Sequence, residues 1–176
     1  MVPWGWPIAC RAAASAPRSR ASKSCRRRNS AMDSVTRLAA GDQVEFHRAI
    51  SAADIRAFAE LSGDHDPVHV DEDFARTTAF GRCIAHGAHV MALVSAASSL
   101  MSRRAVERGC AGTPVSAGYD RIRFTHPVFA GDALTVRYTV EEVEESPGRT
   151  RSRFEVVNQD GRLCLTGTHI LRWVEG

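Results

Sequence analysis

The chain has 176 residues, 44% hydrophobic and 24% charged, which suits one domain with a sizeable core. Seven of its 23 Lys and Arg residues and none of its 20 Asp and Glu residues precede Met32, so the formal charge of +3 belongs to the N-terminal segment and the rest is net acidic. That excludes a basic stripe for nucleic acid, while the longest apolar run, Ile84 to Met101, carries two His and three Ser and is too polar to span a membrane.

Five Cys are scattered through the chain with no C-x-x-C pair, which argues against a zinc ribbon or a redox motif and suits a reducing compartment. Residues 1–31 are rich in Arg, Ser, Ala and Pro, lack an apolar period, and are expected to be disordered. They read either as a mitochondrial transit peptide, placing the protein in the matrix, or as an over-extended start that leaves Met32 first and the protein cytoplasmic. The non-amphipathic opening VPWGWP favours the second. The domain is then expected over 32–176.

From Gln43 to Ile50 polar and apolar residues alternate, as in a half-buried strand. Ser51-Ala52-Ala53-Asp54 fits a capping box, Ile55, Phe58, Ala59 and Leu61 follow at helical spacing, and Gly63 ends that helix. Asp64 to His69 are expected to form a loop, and residues 71–77 a short second helix. Ile84 to Arg104 is predicted as a long helix, apolar nearly all round and therefore buried. Strands are predicted over 117–124, 133–143, 150–157 and 163–174, the last two joined by the turn Asn158-Gln159-Asp160-Gly161. The order gives an α+β fold, an antiparallel sheet packed on one central helix.

Chemistry-bearing residues concentrate in Leu61-Ser62-Gly63-Asp64-His65-Asp66-Pro67-Val68-His69. On a helix Asp64 and His69 would diverge, but Pro67 breaks the helix and holds Asp66 extended, so the two side chains can meet and share a water as an acid/base pair. Gly87 falls in the first turn of the long helix, where N–H groups have no intrahelical partner and the dipole favours negative charge, an oxyanion site. Ser62, Asp66 and His86 are the candidate network around them. The residue types leave other readings open, with Asp64 as a turn cap and His69 as a structural imidazole. A metal set drawn from His65, Asp66, His69, His86 and His89 lacks an H-E-x-x-H arrangement, so no metal is expected. His89 is expected to pack or to reach a polar neighbour. His47, His126 and His169 read as surface or half-buried.

Phe58-Ala59-Glu60-Leu61-Ser62-Gly63-Asp64-His65-Asp66-Pro67-Val68-His69, with Phe80-Gly81-Arg82, Ile84-Ala85-His86-Gly87 and Ile122-Arg123-Phe124-Thr125-His126-Pro127-Val128-Phe129-Ala130-Gly131-Asp132, resembles the MaoC-like, R-specific enoyl-CoA hydratases. The resemblance implies a hot-dog fold, a sheet wrapped around a long helix, and a homodimer. It implies reversible syn hydration of trans-2-enoyl thioesters of CoA or acyl carrier protein to (R)-3-hydroxyacyl thioesters in fatty acid metabolism, without a cofactor. By position it assigns Asp64 and His69 as the catalytic pair and Gly87 as the holder of the thioester oxygen. One departure is Asp66, where the family has Asn; an ionised Asp only accepts hydrogen bonds. Two alternatives stand beside this: a hot-dog thioesterase, which needs a carboxylate on the central helix where Ile84–Arg104 has none, and a non-catalytic acyl-thioester-binding or dimerisation module. By analogy, segment 103–116 is expected to wall the acyl pocket.

Overall fold

The computed structural model describes residues 36–144, 146 and 148–174, so the readings of residues 1–31 and of the boundary at Met32 lie outside the described residues. Strand β1 (Gln43–Ala49) leads through Ser51 into helix α1 (Ala52–Ser62). The capping box is made in both directions: the Ser51 side chain accepts from the Asp54 N–H, and Asp54 accepts from the Ser51 N–H. Hydrogen bonds from Ser51 hold the Asp54 carboxyl down at about 2. Gly63, at φ 76°, ends the helix in the left-handed conformation, as its position predicts.

The loop expected next is partly helical. Pro67 does not break a helix here; it starts one, α2 (Pro67–Val70), with Asp66 as its N-cap. A proline at the first helical position loses no bond, because that N–H has no partner anyway. Helix α3 (Glu72–Thr77) follows, its first turn bonded to the Asp71 carboxylate.

The long helix is α4 (Gly87–Glu107), shifted toward the C-terminus from its expected span. Ile84 and Ala85 are held extended by tertiary bonds: the Ile84 N–H donates to the Val68 carbonyl at 3.2 Å and the Ala85 N–H to the Val128 carbonyl at 2.7 Å. At the other end nothing stops the helix before Gly109. Val90, Leu93, Val94, Ala97, Met101 and Ala105 form its buried stripe. It is not buried all round: Ala88, Ala92, Ser95, Ser99 and Arg103 are exposed. Small residues there satisfy the apolar pattern without needing burial.

Strands β2 (Thr113–Phe124), β3 (Ala133–Glu144), β4 (Arg149–Val157) and β5 (Leu163–Val174) join β1 in one antiparallel sheet of order β1-β3-β4-β5-β2. The inner face carries Leu134, Val136, Tyr138, Val140, Phe154, Val156 and Leu165, all fully buried, and α4 lies across β1 and β3. This is the helix-on-sheet arrangement that the resemblance implies. β2 is an edge strand, which explains why Pro114 is tolerated in it.

His169 is neither at the surface nor half-buried, the places its strand position suggests. It is 0% exposed, on the inner face of β5. Its Nδ1 pairs with the Tyr138 hydroxyl and its Nε2 with the Ser116 hydroxyl, each at 2.9 Å, and Tyr119 stacks on it at 4.3 Å. Alternation did place residue 169 with Leu165 and Leu171, and a polar residue on that face still points inward. Burial pushes the imidazole down to about 4. The unfolded ring takes up a proton near its ordinary value of about 6.5 while the folded ring does not, so stability falls as the pH drops from about 6.5 to about 4. The loss should reach about 3 kcal/mol, read as a falling urea midpoint, and His169→Gln should flatten that dependence.

Candidate active site

The loop between α1 and α2 is fixed by its own side chains. The Ser62 hydroxyl donates to the Phe58 carbonyl at 2.7 Å and accepts from the Asp64 N–H at 3.2 Å. Asp64 accepts from the Asp66 N–H at 3.3 Å, and Asp66 from the Val68 N–H at 3.0 Å. Ser62 and Asp66 thus shape the backbone that carries Asp64. At position 66 the side chain acts only as an acceptor, and Asp caps a helix as well as Asn does. Asp66→Asn should therefore leave the melting temperature within about 2 °C of wild type, a shift well under 1 kcal/mol, and leave turnover within about threefold.

His69 lies on α2, half-buried, with Nδ1 2.8 Å from the Ile84 carbonyl. A carbonyl can only accept, so Nδ1 carries the proton and Nε2 of the neutral ring is left as a base. His86 is 1% exposed, and its Nε2 donates to the Asp64 carbonyl at 2.9 Å, tying the start of α4 to the loop. The His69 and His86 rings stack, centroids 3.8 Å apart, with Phe58 against His86 at 5.0 Å and against His89 at 5.1 Å. Burial pushes the His89 imidazole down; it packs, as expected, and takes no place in the site.

Asp64, His69 and His86 each offer an atom within 4.8 Å of the others. The two imidazole planes are 28° apart and face to face, so the ring lone pairs lie in nearly parallel planes. A tetrahedral ion needs them to converge. The geometry suits a water between Asp64 and Nε2 of His69.

Gly87 is the first residue of α4, and its N–H has no partner within the helix. The N-cap residue, His86, makes no side-chain capping bond, so the positive end of a 21-residue helix stays open. Gly87 and His69 line one cavity of about 510 Å³ with Phe80, Ile84, Ala85, Val90, Phe124, Thr125, His126, Pro127, Val128 and Cys164. A reactive end and an apolar wall share that space. Segment 103–116 supplies none of the lining, because its first residues are the far end of α4, opposite the end that holds Gly87. Sequence reasoning missed Phe80, Phe124 and His126 as pocket residues and Ile84 as the acceptor for His69. The 80–82 stretch carried the signal for the first of these and the 122–132 stretch for the next two. A backbone acceptor leaves none.

The Gly131-Asp132 turn is structural. The buried Asp132 carboxylate accepts from the Phe129 N–H at 2.9 Å and the Gln159 amide at 3.0 Å, fixing the segment that forms the floor under Ile84.

A MaoC-like domain model matches residues 35–160. The chain is 32% identical to an (R)-specific enoyl-CoA hydratase of Aeromonas caviae over 139 residues, 79% of this chain and 98% of that one. It is 32% identical over 105 residues to the mitochondrial 3-hydroxyacyl-[acyl-carrier-protein] dehydratase of Arabidopsis thaliana, covering 60% of this chain and 57% of that one. Among solved structures, the unliganded R-hydratase of Pseudomonas aeruginosa superposes with a TM-score of 0.65 at 33% identity, covering 81% of this chain and 86% of that one. The loop, the helix start and strands β1 to β4 fall within residues 35–160, and the chain belongs to the MaoC-like domain family.

Proposed function

We propose that this protein catalyses the reversible syn addition of water to trans-2-enoyl thioesters of CoA or acyl carrier protein, giving (R)-3-hydroxyacyl thioesters. The observation that carries the reading is the convergence of Asp64 with His69, whose Nδ1 is committed to the Ile84 carbonyl, leaving Nε2 as the base for a water shared with Asp64. Nε2 takes a proton as the water oxygen bonds to C3 and the C2–C3 double bond opens. The charge collects on the thioester oxygen, held by the Gly87 N–H at the helix terminus. The pair then returns a proton to C2 from the same face. The sequences and structures named above are hydratases and dehydratases of this kind, and no cofactor enters the scheme.

Purified protein should consume crotonyl-CoA, followed as loss of the enoyl absorbance, and release no free thiol from butyryl-CoA. Thiol release without enoyl consumption would favour the thioesterase reading. Against that reading, the acid on α4 is Glu107, about 30 Å along the helix from Gly87 at 1.5 Å per residue.

We also propose a homodimer. Among the described residues the twelve-residue edge β2 has one side unpaired, Val115 is exposed on it, and α4 shows an open face of small residues. Light scattering should give twice the 19.2 kDa chain mass. No described helix is long and apolar enough to cross a membrane.

A further inference from the structure

We infer that Phe124, turned inward by a bulge in β2, restricts the enzyme to enoyl thioesters unbranched at C2. This rests on the reading of Gly87 as the holder of the thioester oxygen.

Tyr119 stacks on the buried His169, and Ile122 packs against the core. Residues three apart cannot share a face of a regular strand. The register supplies the reason: Asp120 pairs with Thr168 and Arg123 with Thr166, so β2 has one residue more than β5 across this interval. Arg121 sits in that interval at φ 54°, left-handed for a residue that is not glycine. Such a conformation persists only where its surroundings enforce it, and bulges of this kind re-aim the side chains that follow. Without the extra residue, Ile122 and Phe124 would face outward.

Re-aimed, Phe124 lies on Gly87. A methyl group added at Gly87 would stand 2.8 Å from Cε1 of Phe124 and 2.9 Å from Cζ. The ring is 57% exposed, so burial in the core does not hold it there. A thioester oxygen on the Gly87 N–H brings the carbonyl carbon and its two substituents beside the Gly87 Cα, against this ring. The sulfur substituent is common to every substrate. The C2 substituent is therefore the one that Phe124 selects, and a hydrogen fits where a methyl meets the ring.

The test compares kcat/KM for crotonyl-CoA and trans-2-methylcrotonyl-CoA in wild type, Phe124→Ala, Phe124→Leu and Arg121→Gly, each checked for folding by circular dichroism. The methyl group's intrinsic effect on the chemistry is common to all four, so the change in ratio is the readout. Phe124→Ala should lower the preference for crotonyl-CoA on the order of tenfold, the discrimination one methyl group supports, and Phe124→Leu should fall between. Arg121→Gly should keep the wild-type ratio, since glycine holds the bulge. An unchanged ratio in Phe124→Ala, with crotonyl-CoA still hydrated, overturns the inference; loss of the preference in Arg121→Gly overturns the role of the bulge. A wild type inert toward both thioesters would instead refute the proposed reaction.

Discussion

Asp64→Asn and His69→Ala should each lower kcat on the order of 10² to 10⁴-fold, the usual contribution of a positioned acid or base. His69 loses its Nε2 base outright. Asp64→Asn is the sharper variant, because an amide oxygen can keep the bond from the Asp66 N–H while losing the charge that orients the water. KM should move little, since neither side chain holds the thioester oxygen. The double variant should be no slower than the worse single one within about threefold, because the pair acts on one water as a unit. Folding should survive: Asp64 is exposed, and the loop around it is held by Ser62, Asp66 and His86. Stopped assays with crotonyl-CoA, alongside thermal melts, check all of this.

Gly87→Ala should cost on the order of 10² to 10³-fold in kcat/KM, the loss seen when an oxyanion donor is removed. Alanine suits the first turn of a helix, but its methyl group would push the Phe124 ring from its seat; the ring is largely exposed, so the melting temperature should fall by no more than about a few degrees. The N–H remains, but the methyl group crowds the space between Gly87 and Phe124 where the thioester is proposed to sit. Two explanations of the glycine can be separated by Gly87→Ala/Phe124→Ala. If the glycine serves the thioester oxygen, the double variant stays slow; if it serves only to seat Phe124, activity returns toward that of Phe124→Ala.

Much of this was legible in local signals. The box Ser51–Asp54, the stop at Gly63, the last three strands and the Asp160-Gly161 turn depend on residues a few positions apart, and they fall where the sequence puts them; β2 begins four residues before its expected start, at Thr113. The convergence of Asp64 and His69 followed from Pro67, although that proline works as the first residue of α2. What escaped depends on distant partners. Ile84 and Ala85 look helical by composition, and only their bonds to the carbonyls of Val68 and Val128 hold them out of α4. His169 reads as a surface or half-buried residue until Tyr138 and Ser116 are seen to satisfy both of its nitrogens. Phe124 lies out of phase with Tyr119 in a regular strand, and the bulge at Arg121 reverses it. The departure at Asp66 was visible, but not that an acceptor is what this position uses.

The central claim is that one pair of side chains adds water from one face. Hydration of crotonyl-CoA in D₂O, with the product's configuration read by NMR and chiral chromatography, tests it most directly. The account predicts (R)-3-hydroxybutyryl-CoA carrying one deuterium at C2, added syn to the hydroxyl, and no such product from Asp64→Asn on the same timescale. Anti addition, a 3S or racemic product, or undiminished turnover by Asp64→Asn would contradict it.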